Sequence, residues 1–248
     1  MASKKTNARA HVVERVRVDI ILPESLASPE GRARLCAALT VSVFTSPTHW
    51  GTDERTKLRF SGELPGSGEF MLWRSTRPKF IGGAPVSVRN FSRLHLEFDE
   101  PPELDMAPMW LALSQLVETL QPVFAGMHLS LSTKDQKVRS ATWNGFGPRL
   151  FEYFDVGPAG AFACTWFGPD LVSRIGERLL TTAGASMRRD GSARLMLHEH
   201  PWTLTAPELL SLQAKANEVL RTSGMLADYT AFPPRPGPKW VPIPRKIP

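Results

Sequence analysis

Arg93-Leu94-His95-Leu96-Glu97-Phe98 decides the fold. Leu94, Leu96 and Phe98 fall on one side of an extended chain, and His95 and Glu97 fall on the other. That is the two-residue period of a strand lying half-buried in a sheet. The same alternation governs Val12 to Leu22, where Val16, Val18 and Ile20 interleave with Arg15, Arg17 and Asp19. It recurs where Met127, Leu129 and Leu131 interleave with His128, Ser130 and Ser132. Parallel sheets need strands that are apolar throughout, so strands with one polar face point to an antiparallel or mixed sheet.

The segments between these strands read as helices. Ser28 caps a helix with Pro29 in its first turn, and Ala33, Leu35, Cys36 and Leu39 point inward. Asp105 and Pro108 open a second helix, on Met109, Leu113, Leu116, Val117 and Leu120, which Pro122 ends. Pro169 and Asp170 begin a third, running to about Leu180 on the stripe Leu171, Ile175, Leu179. Thr205 and Glu208 form a capping box ahead of a fourth, which runs to about Arg221 before Gly224. Further strands are expected at Val41–Phe44, Leu58–Phe60, Phe70–Trp73, Leu150–Phe154, Ala161–Phe167 and Arg194–His200, the last after the turn Arg189-Asp190-Gly191-Ser192. Strand–helix–strand order thus recurs over 12–44, 93–133 and 161–200. The expected fold is α+β: a mixed, largely antiparallel sheet with helices packed on one face.

Residues 1–11 read as a disordered basic arm. Residues 12–232 read as one α+β domain, or as two halves, 12–133 and 150–232. Residues 233–248, with seven prolines, read as an extended basic tail. The net charge of +6 is concentrated at the ends: residues 1–17 carry +4, residues 233–248 carry +4, and the body between them carries −2. Lys4, Lys5, Arg9, Arg235, Lys239, Arg245 and Lys246 are the cations with which such ends would hold phosphates. Solvated, solubilising ends are the plainer reading. The polar N-terminus has no apolar core of a signal peptide, and no run is long and apolar enough to span a bilayer, so a cytoplasmic location without membrane contact is expected. Cys36 and Cys164 read as buried apolar residues in a reducing compartment.

Sites of chemistry are few. His198 and His200, placed on one strand face, would hold a metal if His128, His95 or Asp190 supplied a third ligand. The alternative is a wet strand end. Glu97, Asp99, Glu100, Glu103 and Asp105 form an acidic cluster, read as charge complementing a helix start rather than as acid–base machinery. The glycine-rich stretches Gly62–Gly68 and Gly157–Gly160 match no phosphate loop, and Cys164 beside Trp166 lies in an apolar strand where a thiol stays inert. No catalytic residue and no cofactor is expected. Trp50, Trp143, Trp202 and Trp240 fall in loops or near polar ends and are the candidates for a binding surface.

The region Phe162 to Phe232 resembles the C-terminal half of bacterial immunity proteins of polymorphic-toxin and type VI secretion systems. The shared features are a strand ending in Trp166, the turn Gly168-Pro169 and the helix Asp170–Leu180 with Ile175-Gly176. A strand with Leu195 and Leu197, the pair Pro201-Trp202 and the helix Pro207–Leu220 follow. The resemblance covers about a third of the chain. It implies a non-catalytic protein that binds and neutralises a cognate toxin. It assigns no contact residues, and the basic charge departs from the acidic character frequent in immunity proteins against nucleases. Two alternatives accompany this reading: a nucleic-acid accessory protein using the basic ends, and a metal-dependent hydrolase at His198 and His200.

Overall fold

Strand β1 (Val13–Leu22) lies in the middle of the molecule because both of its edges are used. It pairs antiparallel with β6 (Ser92–Asp99) on one side and with β7 (Phe124–Leu131) on the other. The computed structural model describes residues 13–23, 25–26, 28–53, 55–64, 70–84, 92–135 and 156–240. Around β1 runs a ten-stranded sheet that also contains β2 (His49–Gly51), β3 (Leu58–Arg59), β4 (Phe70–Arg74), β5 (Phe80–Ala84), β8 (Cys164–Phe167), β9 (Ala185–Met187) and β10 (Ala193–Met196). Its order is β3-β2-β4-β5-β6-β1-β7-β8-β10-β9, and each neighbouring pair is antiparallel. The fold is the expected α+β class. One sheet runs through both halves of the chain, joined where β7 pairs with β8.

Helices α1 (Pro29–Thr40) and α2 (Met106–Leu120) cover the face that carries Val16, Val18, Ile20, Leu94, Leu96, Met127 and Leu129. Helix α2 carries the chain from β6 across β1 to β7, so β6 and β7 run in the same direction with β1 inserted between them. β8 and β9 flank β10 in the same way, connected by α3 (Pro169–Ile175) and α4 (Glu177–Thr182). A second core gathers Ile21, Phe124 and Phe167, whose parity places them on the opposite face, with Leu171 and Ile175 of α3, Leu180 of α4, and Ala216 and Leu220 of α5 (Ala206–Thr222). The helical layer over the first face is therefore accompanied by a second group behind the C-terminal strands.

Local chemistry explains the boundaries. Ser28 Oγ accepts from Gly31 N at 3.0 Å and starts α1. Both arms of the Thr205–Glu208 capping box are formed at α5. The helix expected as one piece over 169–180 breaks at Gly176, whose φ of +97° is open to glycine and strained for other residues. Val41–Phe44, expected as a strand, is a turn: Thr45 Oγ1 donates to Leu39 O at 2.9 Å and closes the end of α1, leaving Val41 and Val43 exposed. Ala161–Ala163, expected within the strand, pairs with side chains instead. Asn217 Oδ1 accepts from Ala161 N, Gln213 Nε2 donates to Ala161 O, and His128 Nδ1 accepts from Ala163 N.

The beginning of the C-terminal tail departs from the extended form expected of it. Asp228 and Arg235 exchange backbone hydrogen bonds, Lys239 N donates to Gly224 O, and Trp240 is 2% exposed. Its ring stands edge-on to Phe124, 5.2 Å between centroids. The arm 1–11, the strand expected at 150–154 and residues 241–248 lie outside the described residues.

Candidate functional site

On the face opposite α1 and α2, the polar side chains of the central strands are mostly enclosed. Asp19 accepts from Arg17 Nε at 2.7 Å and from Arg93 Nε at 2.8 Å, and none of these three residues is more than 5% exposed. Burial alone would raise the Asp19 pKa; the Arg93 and Arg17 guanidiniums overrule it and hold the carboxyl below its usual range. His95, paired across the strands with Asp19, is pushed down to about 4 by burial, against the pull of that carboxylate. The polar strand face read from the alternation is here a buried polar network.

The open site lies farther along the same face. A cleft of about 610 Å³ lies among the end of β4, the start of β5, the segment joining them and the end of β6. Its floor is Trp73 and Ile81, cross-strand neighbours of β4 and β5, with Ile81 51% exposed. On one side stand Lys57, Arg74, Arg77 and Lys79. Lys57 Nζ lies 4.9 Å from the centre of the Trp73 ring, a cation–π distance. Arg74 donates to the carbonyls of Ser46 and Arg77 at 3.2 and 3.4 Å and so ties the joining segment down. Burial pulls its pKa below the usual value. On the other side stand Glu97, Asp99 and Glu100. Arg15 of β1 reaches Glu97 at 3.1 Å and Asp99 at 2.9 Å and offsets one of the three carboxylates of that rim.

The sequence-predicted residues fall elsewhere, apart from this acidic rim. The acidic cluster divides: Glu97 and Asp99 belong to β6 and face the cleft, whereas Glu103 to Asp105 form a 3-10 turn before α2. β10 ends at Met196, so His198 and His200 do not share a strand face. His198 Nδ1 accepts from His200 N at 3.1 Å, and the His200 ring lies against Trp202. His95 and His128 lie within the sheet, and Asp190 holds Ser192 in the hairpin turn. Among the described residues, no three His, Cys, Asp or Glu side chains come together to hold a metal. Burial pushes the Cys164 thiol up to about 12 and also raises Cys36.

Of the tryptophans, Trp50 and Trp202 are half-buried against the first core, Trp202 tilted on Trp110 at 5.7 Å. Trp240 is a core residue and not part of a surface, and Trp143 lies outside the described residues. Arg235 and Lys239 ride on the folded start of the tail; Lys4, Lys5, Arg9, Arg245 and Lys246 lie outside the described residues. Sequence reading missed the basic side of the cleft. Its signal is Arg74-Ser75-Thr76-Arg77-Pro78-Lys79, a cationic connection between two apolar runs.

Among the described residues, no helix is long and apolar enough to cross a membrane. No family model matches the sequence, and no curated protein matches it. The fold is similar to that of a solved Pseudomonas aeruginosa T6SS protein, with a TM-score of 0.57 and 12% sequence identity over 85% of this chain and 74% of that one.

Proposed function

We propose that the chain is a type VI secretion-associated immunity protein: it binds a cognate protein toxin in the cytoplasm and neutralises it by occupying its surface, with no chemistry of its own. The observation that carries this reading is the likeness in fold to a T6SS protein across most of both chains. The resemblance of Phe162–Phe232 to immunity proteins adds to it, as does an open cleft bearing both signs of charge, a surface suited to another protein.

The test is capture of the tagged full chain from its own cells at ~0.3 M salt, where exposed charges are screened within a Debye length of under ~10 Å. One stoichiometric protein, encoded beside this gene and toxic when produced alone, is the expected result. Recovery of nucleic acid, or of nucleic-acid-bound proteins only, contradicts the proposal and moves the function to the basic ends.

A further inference from the structure

We propose that the cleft over β4, β5 and the end of β6 is the seat of the partner, and that it receives an acidic loop of a protein. This rests on the reading of the chain as a protein-binding protein, and it names the surface and the chemistry that bind. The first ground is the imbalance of pairing. Arg15 bridges Glu97 and Asp99 and offsets one of the three carboxylates on that rim, so the four cations Lys57, Arg74, Arg77 and Lys79 outnumber the two negative charges that remain. Lys57, Arg77 and Lys79 are exposed and have no carboxylate partner among the described residues. The field left over is positive and faces the opening. Such unmatched charge steers an oppositely charged partner and fixes its register.

The second ground is the floor. The half-exposed Ile81 gives a loop an apolar rest, and Trp73, buried beneath Lys57, backs it from below. Aromatic residues and arginine are the types enriched at interface hot spots, and Arg77 stands exposed at the opening. The volume of about 610 Å³ admits a few side chains rather than a whole domain.

The third ground separates a protein from a nucleic acid. Glu100 and the Glu97–Asp99 pair, which still carries one negative charge beside Arg15, stand across the cleft from the cations. A phosphate backbone laid along the cleft would meet those carboxylates at close range. A protein loop turns its acidic side chain to Arg77 and Lys79 and another group to the opposite rim.

The experiment uses the isotopically labelled full chain and three probes of equal length: a Glu-rich peptide with a central Leu, the same peptide with Lys for Glu, and oligothymidylate. Backbone amide shifts are followed by NMR. The Glu-rich peptide alone is expected to move Trp73, Lys79 and Ile81, and the double variant Arg77→Glu/Lys79→Glu to weaken it about tenfold or more. Both side chains are exposed, so the remaining spectrum of the variant stays that of the parent. Equal shifts with oligothymidylate, unchanged affinity in the double variant, or no Glu-rich-dependent shift at the cleft would each overturn the proposal. Where a toxin has been captured, its complex is expected to be lost in the same variant. A complex that survives removes the cleft as the seat while leaving the immunity reading intact. If no toxin is recovered, the immunity reading fails and the titration still decides the cleft.

Discussion

Asp19 is the residue on which the polar interior turns. Two buried guanidiniums converge on its carboxylate, so Asp19→Ala strands two positive charges away from water. The cost of breaking such a buried network from one side is about 3–5 kcal/mol, to be read from urea unfolding. The same region sets the acid response. The folded-state pKa of Asp19 lies below its unfolded value, so its contribution is complete above the unfolded pKa and is lost as pH falls through the folded one. His95 follows the same rule for a different cause. Its folded value of about 4 lies below the ordinary 6.5, so burial of the neutral ring stabilises the protein above about pH 6.5 and the benefit declines toward pH 4. The linkage is worth up to about 3 kcal/mol. In His95→Gln, unfolding free energy is expected to vary much less between those two values than in the parent protein; an unchanged pH profile would contradict the assignment.

At the scale of elements, two glycines carry the argument. Gly176 divides α3 from α4 at a φ that L-residues avoid. Gly176→Ala is expected to cost about 1–2 kcal/mol through backbone strain alone, since no neighbouring atom lies near the added methyl group. Gly126 of β7 differs: its φ is ordinary, but a Cβ there would overlap the Phe162 ring. Gly126→Ala is expected to cost about 1–3 kcal/mol by overpacking, and Phe162→Leu should recover part of that in the double variant. Thermal unfolding of the four proteins in that cycle checks it.

The elements also show what a sequence makes visible. β1, β6, α2 and α5 were legible because long periodic runs and a capping box mark them. β5 was not, because Phe80-Ile81-Gly82-Gly83-Ala84 looks like a loop. Its glycines are there for close approach: a Cβ on Gly82 would lie 2.5 Å from the His95 carbonyl oxygen, and one on Gly83 2.9 Å from the His95 ring. The cleft was illegible for the same reason, since its basic side sits on the joining segment of a hairpin whose second strand was hidden. Arg17, Asp19 and His128 read only as members of a polar strand face, and their burial was not legible because alternation reports which side chains share a face and not what covers that face.

For the whole molecule, the second core is closed from the far end of the chain. Trp240 packs on Phe124, and Tyr229 donates to Gly157 O at 2.7 Å, so residues 224–240 close over the C-terminal strands. Trp240→Ala is expected to cost about 3–5 kcal/mol, as for other large core truncations. Removal of residues 233–248 should cost at least as much, whereas removal of residues 241–248 leaves Trp240 in place. Only the shorter deletion, together with removal of residues 1–11, tests whether the basic ends bind anything.

Immunity is tested most directly by the growth of cells producing the toxic product of the neighbouring gene, with and without this chain. The parent protein is expected to restore growth and to form a one-to-one complex, and Arg77→Glu/Lys79→Glu, folded and equally abundant, is expected to do neither. Cells that die regardless of the parent protein would contradict the immunity reading, and full protection by the double variant would contradict the cleft.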